Sequence, residues 1–255
     1  MKMTRSATAF SVCAFMALAA SPALAATWTY SGTGPASNSG LSATASAFSA
    51  TNNSTATITA STAYYGGGLG VTSQGESTRS PQHAIDNNGA IETVMISFSD
   101  GVSGLTSADK VNLTSASFGW SSTDADFSVY AYTGASSTPS PLGISYTNLV
   151  SNGWTLIGHY NNSASSNAKT VSFANTVYSS AWLIGAYNGL TTTSGASSGN
   201  DYFKLASVSG SKCPANSTIP GCGGTPGNGV PEPATLLLMG VGLLGLTRSV
   251  RRKPV

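Results

Sequence analysis

Between its two ends the chain alternates apolar and polar residues at period two. In 93–99, Val94, Ile96 and Phe98 share one face; in 126–132, Phe127, Val129 and Ala131 share one, with Tyr130 and Tyr132 on the other. The same alternation runs through 111–120, 154–160, 169–173, 181–187 and 202–208, with Gly, Pro, Ser and Asn clusters between the runs. No helical stripe competes with it, and 147–150 reads as a single helical turn. Many short strands with turn punctuation predict an all-β, antiparallel β-sandwich or jelly-roll-like domain. The stretch 27–75 is less patterned. Its segment 55–60 alternates with small residues, and Tyr64-Tyr65-Gly66-Gly67-Gly68-Leu69-Gly70 reads as a flexible turn. A phosphate-binding glycine loop would need a helix after it, and none follows.

Both ends break the pattern. Lys2 and Arg5 precede an apolar run over 9–20, and Ala23-Leu24-Ala25 supplies the small-x-small site cut by signal peptidase. Residues 1–25 are predicted as a signal peptide, with the mature chain starting at Ala26. Cys13 follows Val12 inside this run and reads as an ordinary apolar signal residue. At the other end Val230-Pro231-Glu232-Pro233 leads into the uncharged run 234–247, followed by Arg248, Arg251, Arg252 and Lys253. The prolines hold the backbone extended and interrupt any helix arriving from upstream. The basic tail stays cytoplasmic by the positive-inside rule, so what precedes the run lies outside the inner membrane. As a helix, 234–247 spans ~21 Å at ~1.5 Å per residue, against a hydrocarbon core of ~30 Å. That suits a segment inserted for processing rather than a permanent anchor. The layout is thus a signal peptide, an exported domain over 26–222, a Gly/Pro linker over 223–229 and a terminal signal over 230–255.

The formal charge of +2 belongs to the ends. Between Ala26 and Val230 five basic residues face eight acidic ones, a balance of −3, with no basic cluster. A nucleic-acid partner is excluded on that ground. Cys213 and Cys222 are the mature domain's cysteines, and in an exported chain they predict a disulfide that ties off the domain before the linker.

Titratable residues are few. His83 opens His-Ala-Ile-Asp-Asn-Asn-Gly, where a His83/Asp86 acid–base pair is one reading and a polar turn the other; no nucleophile motif accompanies the pair. His159 reads as a strand histidine at a rim. Asp86, Asn88, Asp124 and Asp126, with Asp201, offer hard oxygen ligands for calcium, although neither stretch has the full EF-hand spacing. Glu76 and Glu92 are the mature glutamates ahead of Glu232, a thin basis for a glycosidase pair. Tyr130, Tyr132, Trp154, Tyr160 and Tyr187 could form a sugar-binding face, though packing is the commoner fate of such rings.

The terminal order Pro231-Glu232-Pro233, short membrane helix, basic tail resembles the PEP-CTERM sorting signal of Gram-negative bacteria. In that family an exosortase, a membrane-embedded cysteine protease-transpeptidase, cuts near the Pro-Glu-Pro. From His83 onward the chain also resembles exosortase-dependent surface proteins. The carrying residues are 84–89 with 94–98, Gly119-Trp120 with Asp124-Ala125-Asp126, Gly153-Trp154 with Gly158-His159-Tyr160, 182–188, and 201–205. These resemblances imply exosortase and signal peptidase as partners, transient inner-membrane anchoring, and a final place on the cell surface or in the extracellular matrix. No cofactor or catalytic residue is carried over. The expectation is a non-enzymatic exported protein associated with exopolysaccharide or biofilm. The alternatives are a carbohydrate-binding module, calcium-dependent in one form, and a hydrolase using His83 and Asp86.

Overall fold

The computed structural model describes residues 25–222 apart from 33–34, 77–82, 103–108, 163–168, 191–195, 198, 215–216, 218 and 220. The expected signal peptide up to Leu24, the linker and the terminal signal lie outside the described residues. Among those described, no helix is long and apolar enough to cross a membrane.

The strands are β1 (Ala25–Thr29), β2 (Ala36–Asn38), β3 (Leu41–Thr51), β4 (Thr59–Tyr65), β5 (Leu69–Thr72), β6 (Ile85–Asp86) and β7 (Ala90–Ser99). After them come β8 (Val111–Thr123), β9 (Phe127–Tyr132), β10 (Trp154–Tyr160), β11 (Lys169–Ser172), β12 (Ala181–Ala186) and β13 (Asp201–Lys212). The alternating runs from 93 onward lie on these strands, whereas of 55–60 only Thr59 and Ala60 enter one, at the start of β4. The single turn expected at 147–150 appears as two 3-10 turns, Tyr146–Asn148 and Val150–Asn152. The stretch 27–75 holds β1 to β5. Its weak pattern reflects the small size of its buried residues: Ala36, Ala43, Ala47 and Ala50 are all at most 8 % exposed.

The all-β expectation holds, but the architecture is one continuous sheet, nearly closed like a barrel, rather than two separate sheets. Its order is β10-β9-β12-β7-β3-β4-β5-β13-β8-β11, and the strand ladders are antiparallel. β4 turns the corner. Its first residues pair with β3 at Ser49↔Thr59 to Ala47↔Ser61, and its later ones with β5 at Thr62↔Thr72 to Tyr65↔Leu69. β13 is the spine of the second half. Along one edge it pairs with β8; along the other it takes β6 at Tyr202 and Phe203, β5 at Leu205, and β1 from Ser207 to Ser211.

The inward face is aromatic. Trp28 meets Phe98 edge-on at 4.7 Å, and Phe118 lies 4.9 Å from Phe127 and 5.0 Å from Phe203. Two buried indole N–H groups find partners: Trp28 donates to the Leu41 carbonyl, and Trp182 to those of Val111 and Ser179, whereas that of Trp154 has none among the described residues. A second core covers the outside of β3, β7, β12 and β9. There Phe48, Ile91, Met95, Tyr130 and Leu183 pack under Tyr146, Leu149 and Trp154. β12 is consequently buried at all six positions, whereas β13 alternates buried and half-buried residues along much of its length. The disulfide Cys213–Cys222 follows β13 at a Cα–Cα distance of 5.7 Å.

Gly70 is required where β5 passes the chain leading into β6. A Cβ there would lie 1.6 Å from the His83 carbonyl oxygen, while Gly67 (φ +68) has open space around it. Gly70→Ala is expected to cost about 2–3 kcal/mol, and Gly67→Ala about 1 kcal/mol from its left-handed backbone. Urea unfolding midpoints of the two variants check the difference.

Candidate functional site: an acidic end of the sheet

Three strand ends converge at one rim. The turn Asn87-Asn88-Gly89 joins β6 to β7, Asp124-Ala125-Asp126 joins β8 to β9, and Asp201 opens β13. Asp124 bridges Asp201 in parallel, and Tyr202 N–H donates to the Asp124 carbonyl at 2.9 Å. This places oxygen atoms of Asp124, Asp126 and Asp201 within 4.8 Å of one another. Asp126 and Asp201 are fully buried, and Asp124 is half-buried.

Each carboxylate is held by donors. Asp201 accepts from Asp126 N–H at 2.7 Å and from the Asn87 amide at 2.7 Å, and its own N–H donates to Asn87 Oδ1 at 2.9 Å. Asp126 accepts from Asn162 N–H at 2.8 Å and from Ser197 N–H, and the Ser197 hydroxyl donates to Asp124. Among the described residues no Lys or His pairs with the three. Burial, reinforced by the charges of Asp126 and Asp124, pushes the Asp201 carboxyl up to about 8 against the pull of its donors. Asn162 is 1 % exposed, and neither side-chain atom of its amide has a hydrogen-bond partner among the described residues.

Of the predicted calcium ligands, the structure therefore brings Asp124, Asp126 and Asp201 together. Asp86 and Asn88 stand outside that group. Asn88 N–H donates to Asp86 Oδ1 at 2.9 Å in a side-chain turn, and Asp86 faces Glu92. The bridging residue is Asn87, in the same turn as Asp86 and Asn88.

A second acidic group lies behind the first. Asp86 N–H donates to Glu92 Oε2 at 3.2 Å, and Glu92 shares a side-chain hydrogen bond with Glu76. Glu92 is fully buried and its Oε1 has no partner. Burial, then the charges of Asp86 and Glu76, pushes its carboxyl up to about 10; burial above all pushes Asp86 to about 7. The two glutamates meet through a hydrogen bond, with Glu92 buried and Glu76 half-buried, rather than facing each other across a cleft, which does not fit a glycosidase pair.

The histidines serve elsewhere. The His83 ring stacks on Tyr64 at 4.2 Å with its Nδ1 buried and unpartnered, and among the described residues no hydrogen bond joins it to Asp86. His159 lies opposite Ser128 on neighbouring strands, with Ser128 Oγ and His159 Nδ1 2.7 Å apart. Burial holds the His159 imidazole below its usual range. This Ser–His contact depends on strand register and is invisible to sequence spacing, and Ser128 is only 2 % exposed. Tyr130 and Trp154 are buried in the second core and form no sugar platform. Tyr160 stacks on Phe127 at 5.2 Å, and Tyr187 meets His159 edge-on at 5.0 Å.

Buried acids whose carboxyls are raised in the fold contribute stability at low pH and lose it as pH rises from the unfolded range near 4 toward the folded values of about 7 to 10. Stability is therefore expected to fall between about pH 5 and pH 9. Glu92→Gln removes the largest contribution. It should match the natural chain near pH 4 and exceed it by at least ~2 kcal/mol near pH 8.5, measured by denaturant unfolding across pH.

A family model described as the PEP-CTERM protein-sorting motif matches residues 229–253. Neither the curated proteins nor the solved structures contain a match to the chain. The motif covers the terminal signal and does not extend into the β domain. It indicates export, transient membrane anchoring and an exosortase as processing partner. The chain thus carries a PEP-CTERM sorting signal at its C-terminal end.

Proposed function

We propose that the chain is a non-enzymatic surface or matrix protein that an exosortase cuts from its membrane handle and that associates with exopolysaccharide. The observation that carries this reading is the joining of the sorting motif to a charge-poor, Ser/Thr-rich β domain. The arrangement of the titratable groups supports it. Glu92 is sealed inside, Asp86 caps its own turn, and His83 is stacked on Tyr64 rather than paired with an acid. A hydroxyl-rich surface exchanges hydrogen bonds with hydrated polysaccharide as readily as with water.

Intact mass of the protein recovered from culture tests the processing. The natural chain is expected to lack residues before Ala26 and the segment beyond the Pro231-Glu232-Pro233 region, and to be two mass units light for the Cys213–Cys222 bridge. Glu232→Ala should leave an untrimmed chain in the inner-membrane fraction. A normally trimmed Glu232→Ala protein would sink exosortase processing.

The second reading, a calcium-dependent glycan-binding module, is favoured by the convergence of Asp124, Asp126 and Asp201 beside the unpartnered amide of Asn162. On this reading millimolar calcium raises the melting temperature by about 5 °C over the chelated protein, and Asp124→Asn removes the rise. An unchanged melting temperature in the natural chain discards the reading.

A further inference from the structure

A second feature of the fold lies away from the acidic rim. Where the chain leaves β9 and where it enters β12, a cavity of about 600 Å³ opens, within the ~300–1,000 Å³ typical of ligand sites. Tyr132 and Tyr178 line it, hydroxyls of Thr133, Ser136 and Thr176 surround them, and among the described residues Lys110 is the only charged side chain in its wall. Among the described residues no carboxylate lines it, in a domain where acids outnumber bases.

Lys110 is held in place from both ends of the disulfide loop. Its carbonyl accepts from Cys213 N–H at 2.9 Å, and its ammonium donates to the Gly221 carbonyl at 2.8 Å. Gly221 is itself part of the cavity wall and stands next to Cys222. An ammonium has three donors, so two remain for a ligand beyond the one on Gly221. Tyr132 is anchored too: its phenol oxygen accepts from Ser136 N–H at 3.1 Å, and its ring meets Trp154 edge-on at 5.2 Å. Aromatic surface, neutral hydroxyls and one positioned cation are what a sugar ring bearing a carboxylate requires. The ring's C–H face packs on the aromatic, its hydroxyls exchange hydrogen bonds with Ser and Thr, and the carboxylate takes charge-assisted bonds from the ammonium.

We propose that this cavity binds a uronate residue of an acidic polysaccharide, with Lys110 on the carboxylate, Tyr132 and Tyr178 against the ring, and the Cys213–Cys222 loop holding the wall. The assignment deepens the matrix-protein reading and rests on it for the class of ligand. It also gives the disulfide a role beyond stability, because opening the loop releases both Gly221 and the Lys110 contact.

The test is calorimetric titration of the mature protein with trigalacturonate, using maltotriose as the neutral comparison. Trigalacturonate is expected to bind and maltotriose to bind at least ~10-fold more weakly. Lys110→Gln should weaken trigalacturonate ~10-fold or more while leaving the weak maltotriose binding in place. Tyr178→Ala should weaken both sugars, and reduction of the disulfide should weaken trigalacturonate. Absence of binding, equal affinity for the two sugars, or an unchanged affinity in Lys110→Gln would overturn the assignment. Fractionation of the culture separates this from the broader reading. A protein that stays with the matrix yet ignores trigalacturonate loses only the uronate site, whereas one that binds trigalacturonate but never reaches the matrix loses only the matrix role.

Discussion

The fold depends on one strand satisfying its hydrogen bonds along both edges. β13 is flanked along its length by β8, and its opposite edge is divided among β6, β5 and β1, segments drawn from distant parts of the chain. Backbone groups left unpaired in the interior are costly, so each short segment is pinned to its place on that edge. The consequences spread outward. β1 brings Trp28 into the core against Phe98, β5 must pass close enough to the His83 carbonyl to require Gly70, and β6 carries Asn87 to Asp201. Register shifts along the β8–β13 ladder absorb the mismatch between these partners.

The first residues of β13 also gather the acids. Asp201 opens the strand at the same rim where β8 hands over to β9, so three carboxylates converge although two of them lie 75 residues or more from the third. Their hydrogen bonds tie the turns of three strands together. The price is charge crowding in a poorly solvated place, which the Asp201 and Glu92 carboxyls relieve by holding their protons. The cavity beside Lys110 has the opposite character, hydroxyl-rich and, among the described residues, lined by one cation. The domain thus presents two chemically distinct ends, and its labile address label is attached beyond the disulfide that closes the second.

Much of this was legible before the coordinates. Alternation in 93–99 and 126–132 sorted Val94, Ile96, Phe98, Phe127, Val129 and Ala131 onto the inward face, where they lie. The failures have physical causes. Strands β2 and β3 were obscured because Ala36, Ala43, Ala47 and Ala50 are too small to contrast with Ser and Thr. Tyr130 and Trp154, which looked available for a ligand, are covered by Tyr146 and Leu149 from a loop whose packing no local pattern announces. Of the acids, Asp124 and Asp126 could be grouped by proximity in the chain. Asp86 was grouped with them because it sits in a similar turn, yet it faces Glu92 instead.

The sequence by itself determined the strand-forming alternation, the pairing of the mature domain's two cysteines and the sorting motif, because each is written in local order and composition. Only the tertiary structure decided which strands are neighbours, which acids share a rim, that Ser128 meets His159, and that Lys110 and Tyr178 line one cavity. Those contacts depend on register across strands far apart in the chain, and register is set by the summed packing of the whole sheet.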